Sequence, residues 1–313
     1  MIQTLAFRPL IGLSSPHAQT ILSCFSRGGV PPPSVSLNVL LEDGDHLCCE
    51  ISTPINWDET QKTIVLVHGL GGSSHSSYMV RLGRKLYKAG YQVVRVNLRG
   101  CGPGKLLARK KYYGGSSHDI LQLLRVLKHQ YPRSPLVLAG FSIGGNIVLK
   151  LAGELGEEAD RFLHLTIAVC PPIDLANTIE QLEKPTNQRY HRYFVKGLHK
   201  LLNHPNNNYF FSSLFDFDRQ ITAPQWGFQD PHDYYQKCSS RYFLPSIRHA
   251  CHLLFAADDP FIDYRSLLEL SLAPSVKTWV SPHGGHVGFL GWAGREHRWF
   301  WMDRQLMHWI QTS

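Results

Sequence analysis

Apolar residues in this chain fall into two rhythms. Short continuous runs of β-branched and aliphatic residues at 63–67 (TIVLV), 91–96, 136–139, 165–169, 252–257 and 277–280 have the composition of strands buried on both faces. Between them, apolar residues recur three and four apart: Tyr78, Leu82, Leu86 and Ala89, then Ile120, Leu123, Leu124 and Leu127. That is the period of an amphipathic helix. Strand and helix in alternation predict an α/β fold with a mainly parallel central sheet flanked by helices. Ahead of it, residues 35–41 alternate as a strand, Glu42-Asp43-Gly44-Asp45 supplies a turn, and 46–52 return as the antiparallel partner.

Two stretches break the rhythm. Residues 1–33 are punctuated by Pro9, Pro16 and Pro31-Pro32-Pro33, and read as an irregular leader packed on the core. Residues 174–241 are rich in Asn, Tyr, Phe, His and Gln, with helical spacing at 192–202. They interrupt the core, leaving it as 34–173 and 242–313. An inserted cap over a site is the natural reading, with Tyr190, Tyr193, Phe194, Tyr209, Phe210 and Phe211 lining an apolar entrance. A helical bundle remote from the site is the alternative. A Trp-rich helix at 295–310 closes the chain.

The chemistry centres on residues 135–149, PLVLAGFSIGGNIVL. A strand ends in Gly140-Phe141-Ser142-Ile143-Gly144 and a helix-compatible run follows. This is the order of a G-x-S-x-G nucleophile elbow. Side chains at 140 or 144 would collide with the neighbouring strand or helix where the backbone folds back. The turn lifts the Ser142 hydroxyl above the sheet edge, beside the free N–H groups that open the helix. A serine that only caps that helix is the bland alternative.

A serine hydroxyl needs a base within reach, and the base needs a partner that fixes its tautomer. Ser142, Asp259 and His286 follow one another in the order nucleophile, acid, histidine, each just after a predicted strand. Strand C-termini share one edge of a parallel sheet, so the three can converge. Asp258 adjoins Asp259, and Asp174 is a second rival acid better suited to starting a helix. His283 precedes His286 by one short Gly284-Gly285 hinge. The buried strand 63–67 runs into His68-Gly69-Leu70-Gly71-Gly72, which offers the Leu70 N–H as an oxyanion donor to pair with that of Ile143. His68 is expected to brace this loop, and Arg99 to brace the next through an ion pair.

Composition narrows the rest. A chain of 313 residues with 43% hydrophobic and 18% charged residues has the profile of one large globular domain with an insertion. No apolar run is long enough for a transmembrane helix, and no secretory signal is expected, since the first residues lack a basic start followed by a clean apolar core. Seven scattered cysteines suggest neither a disulfide framework nor a zinc site, which predicts a cytoplasmic protein without metal or organic cofactor. The net charge of +8 is spread, with only Arg109-Lys110-Lys111 clustered. It predicts no nucleic-acid partner and at most weak peripheral contact with an anionic membrane surface.

The chain resembles the AB hydrolase 4 family of α/β-hydrolases, the group of bacterial YheT-like proteins and of eukaryotic lipases, phospholipases and ethyl-ester synthases. The resemblance rests on Ser15-Pro16-His17-Ala18-Gln19-Thr20, His68-Gly69-Leu70-Gly71-Gly72, Arg99-Gly100-Cys101-Gly102, residues 140–146, Ala257-Asp258-Asp259-Pro260-Phe261 and Gly284-Gly285-His286-Val287-Gly288-Phe289. It implies the α/β-hydrolase fold and a Ser142, Asp259, His286 triad. Eukaryotic members often carry an N-terminal membrane anchor that is not expected here, which argues against a long-chain phospholipid substrate. The resulting expectation is a serine esterase acting on small-molecule or lipid esters of short to medium acyl chain. Acyl transfer to an alcohol, and a silent lipid-binding fold, are the alternatives.

Overall fold

Every strand-forming run joins one sheet. The computed structural model describes residues 2–25, 28–202 and 209–313. In chain order the strands are β1 (Ile2–Thr4), β2 (Val35–Leu40), β3 (His46–Ser52), β4 (Thr63–Val67), β5 (Gln92–Asn97), β6 (Leu136–Phe141), β7 (Leu165–Val169), β8 (Cys251–Ala256) and β9 (Val276–Ser281). Their order across the sheet is β1-β9-β8-β7-β6-β4-β5-β3-β2. From β1 to β5 all neighbours pair in parallel; β3 runs antiparallel to both β5 and β2. The sheet of an α/β-hydrolase is thus present, mainly parallel and flanked by helices.

Burial explains the continuous apolar runs. Every residue of β4, β5, β6 and β7 is buried. Alternate side chains serve opposite faces. Val65, Val67, Leu136 and Leu138 pack in one apolar layer with Ile120 and Leu127 of α3 (Ser117–Gln130) and with α4 (Ile143–Leu155). Ile64, Leu66, Val137 and Ala139 pack in the other with Leu82 and Leu86 of α2 (Ser77–Lys88) and with Leu306 and Ile310 of the helix Trp301–Thr312.

The ends of the chain depart from expectation. The leader is not irregular: β1 adds a parallel edge to β9, and α1 (Pro16–Phe25) is a ten-residue helix. Its proline occupies the first helical position, where the fixed φ favours a helix and the missing N–H is not needed. The closing helix is also interrupted. Gly294–His297 forms one turn, Arg298 takes φ 52°, and the main helix starts at Trp301. Antiparallel contacts between Leu290 and Phe300 and between Pro9 and Gly291 account for the break. Among the described residues no helix is long and apolar enough to cross a membrane.

Between β7 and β8 the chain leaves the sheet. It forms α5 (Leu175–Glu183), α6 (Gln188–Leu202) and the helix Pro231–Cys238, with short helical turns continuing to Ser246.

Candidate active site

The elbow is built by close approach of backbones. Ser142 takes φ 53° and ψ −125° between β6 and α4. A Cβ on Gly140 would strike the Gly144 carbonyl, and one on Gly144 would lie 2.5 Å from the Val67 and His68 carbonyl oxygens of β4 and its loop. Only glycine permits that contact. The serine makes no side-chain cap to α4, so its hydroxyl is available elsewhere.

That hydroxyl meets His286. Ser142 Oγ lies 2.8 Å from His286 Nε2, and His286 Nδ1 lies 2.8 Å from Asp259 Oδ2. A carboxylate can only accept, so Nδ1 carries the proton and Nε2 is left to accept from the serine. The other Asp259 oxygen accepts from the N–H groups of Phe261 and Ile262 at 3.1 and 3.0 Å. The Asp259 side chain is 1% exposed and that of His286 8%. Three side chains from the ends of β6, β8 and β9 are therefore joined in one hydrogen-bonded chain.

The rival residues are engaged differently. Asp258 accepts from the Gly285 N–H at 2.9 Å and faces His283 Nδ1 at 3.3 Å, tying down the loop that carries His286. Asp174 caps α5 through the Asn177 N–H and pairs with Arg241. His68 is fully buried, and its Nε2 accepts from the Leu98 N–H at 3.1 Å. Nδ1 then donates to the Gly69 carbonyl at 2.8 Å. Burial lowers the His68 pKa to about 4 and keeps it neutral. Arg99 grips Asp119 through Nε and Nη2 at 2.7 Å each, and reaches Asp43 and Asp45 with Nη1. Both His68 and Arg99 brace loops.

The turn after β4 is held by two tyrosines, Tyr112 and Tyr78, the second of them expected only as part of the apolar face of α2. The Gly69 N–H donates to the Tyr78 hydroxyl and the Gly71 N–H to that of Tyr112, each at 2.8 Å. Between them, Leu70 lines one cavity with Ser142 and Ile143. Asn146 was missed as well, although an amide inside the apolar run of α4 is a visible signal. It donates to the Gly114 and Cys238 carbonyls and accepts from the Ser240 N–H, joining the elbow helix to a core loop and to the inserted segment. Thr20 of α1 accepts the His286 N–H at 2.8 Å, and Gln19 bonds the Leu290 backbone in both directions.

The cavity over Ser142 is narrow, about 90 Å³. Its walls come mainly from the inserted segment, as Leu175, Ile179, Leu182, Leu198, Leu214 and Phe217. Of the six aromatics expected at the entrance only Phe194 lines it. Tyr193, Tyr209 and Phe210 are exposed, while Tyr190 and Phe211 are buried in packing. On α6, helical periodicity turns Leu198 to the cavity and leaves Tyr193 exposed, while Tyr209, Phe210 and Phe211 lie outside the helices.

Cys170, Asp259 and His286 bring ligand atoms within 4.8 Å of one another, the donor set of a metal site. The fit is poor. Asp259 and His286 already bond each other, and burial beside the Asp259 carboxylate raises the Cys170 thiol well above its ordinary range, away from the thiolate that a metal needs.

Comparison with known proteins places the chain in a family. Residues 62–210 match the model of the α/β-hydrolase fold family. The chain is 30% identical over 319 aligned residues to YheT of Escherichia coli strain K12, an alignment covering 98% of this chain and 93% of that one. The chain belongs to the YheT-like α/β-hydrolases. Among its relatives, phospholipase ABHD3 of Homo sapiens is 27% identical over 86% of this chain and 67% of its own length. The esterase Pf2001 of Pyrococcus furiosus superimposes with a TM-score of 0.60 at 17% identity, over 98% of this chain and 99% of that one. At that identity the likeness is one of α/β-hydrolase fold.

Proposed function

We propose that this α/β-hydrolase is a serine esterase that cleaves carboxylic esters through an acyl-enzyme on Ser142. The observation that carries the reading is the unbroken relay from Ser142 Oγ to His286 Nε2 and from His286 Nδ1 to Asp259, at 2.8 Å for each bond. The esterase and lipase names among its relatives support it.

In the proposed reaction His286 Nε2 takes the Ser142 proton as the oxygen attacks the ester carbonyl. The imidazolium that forms is stabilised by the ionised Asp259, whose second oxygen is fixed by two backbone N–H groups. The N–H groups of Leu70 and Ile143 receive the tetrahedral oxyanion. Among the described residues neither donates to a protein acceptor, which leaves both available for that task. Loss of one such donor typically costs about 100- to 1000-fold in rate. His286 then protonates the leaving alcohol, and water repeats the sequence to release the acid. No step needs a cofactor. The inserted segment 174–241 acts as a cap whose narrow leucine-lined cavity favours short to medium acyl chains. A reducing cytoplasm as its setting is supported by seven cysteines that all stand as free thiols.

Hydrolysis of a graded p-nitrophenyl ester series tests the proposal. Short and medium esters should turn over fastest, and Ser142→Ala should lower kcat by about 10⁴-fold or more with the fold intact. Undiminished turnover by that variant would end the proposal.

A further inference from the structure

The cavity over Ser142 holds an ionisable group that ester cleavage does not use. Asp218 lines it, at the start of a π-helical turn, Asp218–Thr222, in a segment that also contributes the apolar side chains of Leu214 and Phe217. π-Turns are rare and occur often at functional sites. The Asp218 oxygens accept from two neutral hydroxyls, those of Thr222 at 2.6 Å and Tyr235 at 2.8 Å. Among the described residues no cation pairs with it. A carboxylate has about four lone-pair sites, so these bonds leave acceptor capacity at the cavity that Asp218 lines. Burial raises its pKa to about 6, the mark of a carboxyl group whose charge is incompletely compensated. A pocket meant only for hydrocarbon gains nothing from such a group, because a half-satisfied polar network is worse than an apolar wall.

We propose that Asp218 determines specificity by accepting a hydrogen bond from a hydroxyl on the part of the ester that occupies this cavity, so that the preferred substrates are hydroxylated esters rather than plain alkyl esters. The inference rests on the reading of Ser142 as nucleophile. The competing role is a structural tie, since Tyr235 joins the π-turn to the helix Pro231–Cys238. The two roles differ in what they predict. A tie affects all substrates alike, whereas a recognition group discriminates between matched pairs.

Two pairs cover both sides of the ester bond. The acyl side is probed by p-nitrophenyl hexanoate against its ω-hydroxy counterpart, and the alcohol side by hexyl acetate against the monoacetate of hexanediol. In one pair the wild-type enzyme should favour the hydroxylated member in kcat/KM on the order of tenfold. Asp218→Leu should abolish or invert that preference by raising turnover of the plain ester relative to the hydroxylated one. The nearly isosteric Asp218→Asn, which preserves shape, should weaken it. Absence of a preference in wild type for both pairs, or an equal loss on both members in the variants, overturns the proposal. Ser142→Ala run alongside separates the two readings: retained hydrolysis of every ester would strike the nucleophile assignment, independently of any pattern at Asp218.

Discussion

At Ser142 the backbone is held at φ 53°, a region that costs a non-glycine residue about 1–3 kcal/mol. The surrounding glycines and the β7 carbonyl of Val169, which accepts the Ser142 N–H at 2.9 Å, maintain it. The tight turn was legible in G-x-S-x-G between a strand and a helix, whereas the positive φ of the serine itself was not. The choice between neighbours was readable in part. Asp259 was preferred to Asp258 by its place in the motif and His286 to His283 for the freedom Gly284-Gly285 gives it; in the structure Asp258 and His283 face each other and Asp258 fixes the histidine loop. Nothing in the pattern pointed to the roles of Tyr78, Tyr112 or Asp218, which arise only when distant segments fold against one another. His68 yields a prediction about pH. Its folded pKa of about 4 lies below the ordinary imidazole value, so the unfolded chain binds more protons between those values. Its contribution is complete above about pH 6.5 and is lost as the pH falls toward 4. The loss should reach about 2–3 kcal/mol by pH 4.5. Urea midpoints measured from pH 7.5 to 4.5 should fall, and more shallowly in His68→Gln; parallel slopes in the two proteins would refute the assignment.

Among the elements, the core strands and the helices that cover them follow from hydrophobic period, and their observed bounds lie within a few residues of the expected ones. α1 was hidden because Pro16, between Pro9 and Pro31-Pro32-Pro33, read as a chain break, although Ser15-Pro16 is also a helix start. Its consequence is functional: Thr20 and Gln19 hold the His286 loop from below. The Arg99 cluster binds other elements in the same way. With side chains of Arg99 and Asp119 each 5% exposed, it clamps the β2–β3 turn, through Asp43 and Asp45, onto the first turn of α3. Arg99→Ala removes the ion-pair partner of the buried Asp119 carboxylate, while Asp45 keeps Arg109, and should destabilise the protein by about 3–5 kcal/mol. Addition of Asp119→Asn to that variant should recover part of the loss. Chemical denaturation of the single and double variants measures both quantities, and a single-variant loss below about 1 kcal/mol would contradict the clamp.

For the whole molecule, the sheet gathers the site. Ser142, Asp259 and His286 are far apart along the chain, yet β6, β7, β8 and β9 are consecutive neighbours in the sheet and point the same way. Strand order was not written in any local pattern; only the convergence of the three residues was expected, from the rule that the strand ends of a parallel sheet share an edge. The inserted segment was recognisable by its break in rhythm, but its lining was not, because which helical face turns inward depends on the docking angle. The central claim concerns one oxygen atom. Labelling with a fluorophosphonate probe followed by peptide mass mapping tests it directly. The account predicts a single phosphonylated residue, Ser142, with labelling abolished in Ser142→Ala and strongly slowed in His286→Ala. An active enzyme that resists the probe, or one labelled at another residue, would contradict it.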